Sequence, residues 1–183
     1  MSMRIEDYAV IGDLHTMALV ARDGSIDWLC LPRFDSGACF AALLGTPDNG
    51  RWLIGPKGEA KAVRRRYREG TLVLETEFET EEGTAVVIDC MPVGAHAPYV
   101  LRVVEGRRGR TAMHTELVVR FDYGAVVPWV QRLNGAGLSA IAGPDRLVFR
   151  SDVPIVSKHF KSTAEFIVEA GGRAEFTLGW HPS

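Results

Sequence analysis

TMALVARDGSIDWLCLPRFDSGACFAALLG, residues 16–45, is the stretch whose reading decides the fold. Thr16 to Ala21 alternates as a strand does, Arg22-Asp23-Gly24-Ser25 carries turn chemistry, and Ile26 to Leu31 returns as a second strand. Asp-Gly suits a two-residue type I′ loop, in which both central residues take φ > 0. That loop predicts Leu19 opposite Trp28 and Ala21 opposite Ile26. Pro32 ends the strand, since it has no N–H to give to a ladder. Asp35-Ser36 then supplies a cap for a short helix over Gly37 to Leu44, with Gly45 to stop it. One strand end therefore carries Trp28, Arg33, Phe34 and Asp35 close together. Aromatics stack on the apolar faces of sugars while Arg and carboxylates bond hydroxyls, so this is a candidate sugar-facing edge. It reads equally well as a packing corner, with Trp28 in the core and Arg33–Asp35 holding the turn.

Working outward, the same grammar recurs. Val63 to Arg68, Thr71 to Thr80 and Thr84 to Met91 read as three strands. A two-residue loop at Glu69-Gly70 predicts Tyr67 opposite Leu72 and Arg64 opposite Glu75. Leu72, Leu74, Thr76 and Phe78 then share one face, and Val73, Glu75, Glu77 and Glu79 the other. Gly83 in a left-handed, three-residue loop predicts Phe78 opposite Val86 and Thr76 opposite Ile88, which keeps the apolar face continuous; a two-residue loop would set Phe78 opposite Val87. Further strands are expected at Tyr99–Glu105, Thr111–Phe121, Val126–Leu133, Leu138–Ala142, Arg146–Ser151, Thr163–Glu169 and Ala174–Gly179, with DVPIVSKHFKS after Ser151 left as a loop. Short alternating strands between turn signals predict an all-β, two-sheet antiparallel sandwich with one short helix near residues 37–44.

Composition narrows the function. The chain has 183 residues, which suits one domain, and a formal charge of −2, which gives no pull toward nucleic acid or an anionic membrane. No apolar run approaches the length of a membrane span, and the opening MSMRIEDYAVIGD lacks the basic and apolar regions of an export signal, so a cytoplasmic location is expected. Cys30, Cys39 and Cys90 are an odd, irregularly spaced set, better read as free thiols than as a disulfide framework or a zinc site. The histidines, His15, His96, His114, His159 and His181, do not pair at metal-ligand spacing. No metal or cofactor is expected. Neither GAG at 135–137 nor GDLH at 12–15 is a nucleophile elbow, and the former is a turn rather than a phosphate loop.

The basic run Arg64, Arg65, Arg66 and Arg68 faces a strand bearing Glu75, Glu77 and Glu79, so cross-strand pairing accounts for both. Arg107, Arg108 and Arg110 read as a solvated turn. Acids are plentiful: Asp13, Asp23, Asp27, Asp35, Asp89 and Asp122 among them. Glycoside hydrolysis by inversion needs two carboxylates about 6.5–9.5 Å apart, and sequence alone does not say which acids meet. Tyr123 and Trp129, in RFDYGAVVPW, form a second aromatic edge that is either core, inter-domain packing or a sugar contact.

EDYAVIGDLHTMALVARDGSIDWLCLPRFDS (6–36) resembles the opening of glycoside hydrolase family 15 proteins of the glucoamylase and trehalase type. The likeness continues through GRWLIGP (50–56), VRRRYREGTLVLETEFET (63–80), RFDYG (120–124), VPW (127–129) and GWHPS (179–183), essentially the whole chain. The resemblance implies a non-catalytic N-terminal β-sandwich of the super-sandwich kind. It implies that an (α/α)6 barrel would follow residue 183 and carry both catalytic glutamates, and that the whole enzyme would hydrolyse trehalose or another α-glucoside by inversion. No acid of this chain matches those catalytic motifs. Expected partners are then the barrel itself, an α-glucoside at the cleft rim, or a second copy covering the surface the barrel would hide. Trp28, Arg33, Phe34, Asp35, Tyr123 and Trp129 are the candidate substrate- or barrel-facing residues. A self-standing carbohydrate-binding module is the alternative.

Overall fold

A computed structural model describes residues 4–134 and 137–183; the Gly135-Ala136 part of the expected 135–137 turn lies outside them. In chain order the strands are Ala9–Gly12 (β1), Met17–Val20 (β2), Ser25–Cys30 (β3), Ala38–Phe40 (β4), Arg51–Pro56 (β5), Ala62–Tyr67 (β6), Leu74–Glu79 (β7), Gly83–Cys90 (β8), Tyr99–Val118 (β9), Trp129–Leu133 (β10), Gly137–Ala142 (β11), Asp145–Ser151 (β12), Val156–Lys158 (β13), Lys161–Glu169 (β14) and Arg173–Pro182 (β15). All named pairings are antiparallel. The first sheet runs β1-β2-β3-β5-β9-β14-β13, with β4 also on β3, and the second runs β6-β7-β8-β9-β15-β12-β11-β10. The expected all-β sandwich is present.

β9 belongs to both sheets. Tyr99 to Gly109 pairs with β8 and β15, and Arg110 to Val118 pairs with β5 and β14. The expected solvated turn at Arg107–Arg110 is therefore the crossing point of one 20-residue strand. A slip in register against β8 bends the strand there. Gly109 has φ 59°, and a Cβ on it would run into the Glu82 carbonyl. Only glycine permits both the left-handed backbone and that approach.

The turns decide the registers. In the opening hairpin Leu19 does face Trp28, but Ile26 faces Val20, not Ala21. Gly24 N donates to Ala21 O and Ala21 N to Ser25 O. The loop thus has three residues, and only Gly24 takes positive φ, at 88°. Asp23 stays at negative φ and accepts from Ser25 N instead. A bulge past Val20 restores the Leu19–Trp28 pair. The second hairpin departs similarly: Tyr67 faces Leu74, and Arg64 faces Glu77 while Arg66 faces Glu75. Thr71 N donates to Arg68 O around Glu69-Gly70, and only Gly70 has positive φ. Such a turn does not match strand twist, so pairing resumes only at Arg68–Val73. The shift is by two residues, so the faces survive. The third expectation fails by one residue: Phe78 faces Ala85 and Thr76 faces Val87, because Thr80 N bonds Gly83 O across Glu81-Glu82 and Gly83 is not left-handed. β8 tolerates either register because both its faces are apolar. Ala85 and Val87 enter the main core, while Val86 and Ile88 pack with Val103 outside it.

The helix expected at 37–44 is absent. Its first half is β4, whose Ala38, Cys39 and Phe40 are buried, and its second half is one 3₁₀ turn, Ala42–Leu44. Pairing of Phe40 with Leu29 outweighs the capping signal. Residues 152–162, expected as a loop, contain the β13–β14 hairpin, with His159 and Phe160 at φ 51° and 60° in its tip. β10 begins at Trp129, three residues later than expected.

Between the sheets, Trp52, Phe149 and Phe176 stack edge-on and face-on at 5.5 and 6.5 Å. Within this apolar layer lie Arg102 and Asp89, both fully buried. Arg102 Nε donates to Asp89 Oδ1 (2.7 Å) and Nη2 to Oδ2 (3.2 Å), all within the second sheet. Its Nη1 and Nη2 also reach across to Trp52 O and Gly24 O of the first sheet, each at 2.7 Å. The guanidinium carbon lies 5.1 Å from the Trp52 ring centroid. Removing one member of a buried ion pair strands the other charge, so Arg102→Met should cost about 3–5 kcal/mol in urea unfolding. A loss below about 1 kcal/mol would mean that the sheets do not depend on this link.

On the outer face, Arg64 bonds Glu77 and Glu79, while Arg66 and Arg68 both bond Glu75 at 2.8 Å. Arg65 points the other way and donates to Val20 O in the first sheet. The hydrogen bond from Arg68, and then that from Arg66, hold the Glu75 carboxyl below its ordinary range against the upward push of burial. A carboxyl depressed in the folded state adds stability that is complete above the unfolded value, about 4.3, and is lost as pH falls through the lower folded value. Glu75→Gln should therefore flatten the acid limb of a stability–pH curve below about pH 4. An unchanged limb would sink this assignment.

Candidate functional site

The end of β3 runs through a cis Leu31–Pro32 bond into a tight turn. Arg33 N donates to Ser36 Oγ and Ser36 N to Arg33 O. Phe34 N donates to His15 O, which fastens the turn to the β1–β2 loop. That loop is held by Asp13, whose Oδ1 accepts from His15 N and Thr16 N at 2.9 Å. An Asx turn at Asp13, the stop at Pro32 and the Ser36 hydroxyl, which closes this turn and caps no helix, meet at one end of the sandwich.

Trp28 is half-buried on a small satellite cluster of Cys30, Ala38 and Ala41, outside the main core. Its ring lies 6.0 Å from that of Tyr123, tilted by 41°. The structure thus joins two segments distant in sequence. Asp122 and Tyr123 both take positive φ, 50° and 58°, an uncommon backbone for non-glycine residues that aims the Tyr123 ring at Trp28. Phe34 is 59% exposed and Tyr123 49%. Arg33 and Asp35 pair with each other at 3.0 Å, with both side chains largely in water; an exposed pair of this kind contributes little.

Trp129 is not part of that pair. It is 70% exposed at the start of β10 and lines a cleft of about 410 Å³. Phe160 stands on the same cleft, with the Arg120 guanidinium 5.9 Å from its ring centroid. Burial lowers the Arg120 pKa. Phe160 and Arg120 escape the sequence reading because Phe160 sits in a segment read as irregular and Arg120 in a strand read as plain.

The acids are tied up in local structure, and Asp27, Asp23 and Asp7 all lie close enough to Tyr8 to act on its hydroxyl. Asp27 accepts from Tyr8 Oη (2.7 Å) and Ser25 Oγ, Asp23 and Asp13 hold turns, Asp35 holds Arg33 and Asp89 holds Arg102. The Tyr8 hydroxyl is pushed well above its ordinary pKa by burial and by Asp27. Among the described residues no three His, Cys, Asp or Glu side chains converge as a metal site. None of the described helices is long and apolar enough to cross a membrane. Cys30, Cys39 and Cys90 are free, with burial raising all three thiol pKa values.

A two-sheet β-sandwich with aromatic side chains gathered at one end is the class these features define. Residues 1–177 match the family described as trehalase-like, N-terminal, and the chain belongs to it. It is 39% identical over 90 residues to the trehalase of Mycolicibacterium smegmatis, covering 49% of this chain and 13% of that protein. With trehalase 1 of Sulfolobus acidocaldarius it shares 35% identity over 147 residues, 79% of this chain and 25% of that one. The chain therefore spans a quarter or less of these relatives' length. A solved structure titled putative kojibiose phosphorylase from human microbiome superposes with a TM-score of 0.45 and 11% identity, over 95% of this chain and 29% of that one.

Phe34→Ser should cost less than about 1 kcal/mol in thermal or urea unfolding, as expected for a surface position. A loss of about 3–5 kcal/mol would mark Phe34 as a core residue and move the candidate surface elsewhere.

Proposed function

We propose that this chain is the non-catalytic N-terminal domain of a cytoplasmic family 15 glycoside hydrolase. In this reading an (α/α)6 barrel carries the chemistry, and the whole enzyme hydrolyses trehalose or a short α-glucan by inversion. The observation that carries the reading is the trehalase-like N-terminal match over residues 1–177. Two further features support it. Inversion needs a pair of carboxylates about 6.5–9.5 Å apart with room for a water, whereas Asp13, Asp23, Asp27, Asp35 and Asp89 are each engaged in holding this domain's own turns and core. The free thiols suit a reducing compartment.

The role we assign is support of the barrel, with the Trp28–Tyr123 pair and Phe34 facing the barrel or the rim of its substrate cleft. Arg33 and Asp35, flanking Phe34 in the same turn, offer hydroxyl-bonding groups, while Trp129 stands apart on the cleft beside β10. Exposed aromatics favour a second reading, a self-standing carbohydrate-binding module. They are strung along an end and an edge rather than set as one flat platform on a sheet face, so we prefer the first.

The isolated chain should not turn over trehalose or maltose. Hydrolysis that a point substitution within residues 1–183 abolishes would overturn the non-catalytic assignment. Saturable binding of either sugar to the isolated chain, lost in Tyr123→Ala or Trp129→Ala, would favour the binding module.

A further inference from the structure

β10 is an edge strand. It pairs with β11 on one side and with no described strand on the other. Its register runs without a bulge from Trp129–Ile141 to Leu133–Gly137, and no proline interrupts it. Such an edge presents a row of backbone N–H and C=O groups that another strand can complete. The cleft of about 410 Å³ opens beside it, between β10 and the β13–β14 hairpin. The floor of this cleft is apolar, built from Leu117, Val119, Leu138, Leu147 and Phe149.

The charges around the cleft have one sign. Arg120, Arg132, Lys158 and Lys161 line it, and no carboxylate does. Lys161 is already paired with Asp48 at 3.1 Å, and Arg120 donates to Val119 O. Arg132 and Lys158 have no ion-pair partner among the described residues. Arg132 stands opposite Leu138, and Val130 opposite Ala140, so both share the cleft-side face of β10, where each stays exposed.

An unpaired charge on the cleft-side face of an edge strand opposes pairing with an apolar strand. It also opposes a second copy of this chain, since β10 against β10 would bring two basic linings together. A strand that offers a carboxylate at that place converts the same charge into attraction. We propose that the free edge of β10 and its cleft form a docking site for an extended acidic-apolar peptide, which joins the second sheet as an added strand. Its backbone completes the β10 ladder, its apolar side chains fill the cleft, and its carboxylates meet Arg132 and Lys158. The site calls for a strand, so it is separate from the helical barrel proposed above and stands whether or not that barrel exists.

The probes are a short labelled peptide with valine and glutamate on one face and threonine on the other, and its twin with lysine in place of glutamate. The glutamate peptide should bind the full chain in fluorescence anisotropy, and the β10 amides should gain protection from hydrogen exchange. The lysine twin should bind about tenfold more weakly or worse. Arg132→Glu should reverse that preference; if this variant unfolds, Lys158→Glu should narrow it. Equal binding of the twins would overturn the proposal. So would glutamate-peptide binding without β10 protection, or laurate displacing the peptide while the β10 amides stay unprotected, which would mark a lipid site. Concentration-dependent dimerisation that protects β10 without peptide would overturn it as well, by making a second copy the occupant.

Discussion

The sandwich depends on one cation held between its sheets. Arg102 is anchored to Asp89 by two hydrogen bonds within the second sheet and spends its remaining reach on two carbonyls of the first. Apolar packing is non-directional and would tolerate small slides of one sheet over the other. Two carbonyl contacts across the core do not. Burying the pair carries a desolvation cost that offsets much of its mutual attraction, so its directional contacts matter more here than its net strength. Here the geometry in question is where Trp52 and the β2–β3 turn stand relative to β9.

Around that link the chain makes a second structural commitment, a single strand shared by both sheets. β9 needs a bend without a break, and Gly109 allows it by taking a backbone and an approach closed to other residues. The far ends are tied by polar contacts: Arg65 to Val20 O, and the Tyr67 hydroxyl, which accepts from Val10 N and donates to Val10 O. These contacts hold β6 onto β1 and β2. They leave the opposite side, at β10 and β13, open as edges, and the cleft of about 410 Å³ lies there.

The aromatic end shows how local and distant signals combine. The Asp13 turn, Pro32 and Ser36 shape the corner locally, and the bond from Phe34 N to His15 O fixes it against the β1–β2 loop. Trp28 is different. Its neighbour Tyr123 lies far along the chain and reaches it through two successive residues with positive φ. Both segments were legible as aromatic edges from sequence. That they form one surface while Trp129 faces a separate cleft was not, because the placement depends on how β9 delivers the chain after Val118.

Sequence by itself determined the all-β class, the sandwich, most strand positions, the Leu19–Trp28 pair and the pairing of the Arg64–Arg68 run with the Glu75–Glu79 run. Alternation and turn residues encode these directly. It misjudged registers wherever a loop's length hinged on whether one residue or two adopt φ > 0, since Asp-Gly and Glu-Gly allow either. It misjudged β8 because a strand apolar on both faces carries no inward mark. It read residues 37–44 as a helix because a cap signal is local, whereas the pull of β3 on Phe40 is not. Only the tertiary structure decided that Arg102 lies in the core, that β9 crosses between sheets, and that β10 ends its sheet as an edge. Each of these depends on which distant backbone groups arrive beside a residue, and no short-range pattern records that.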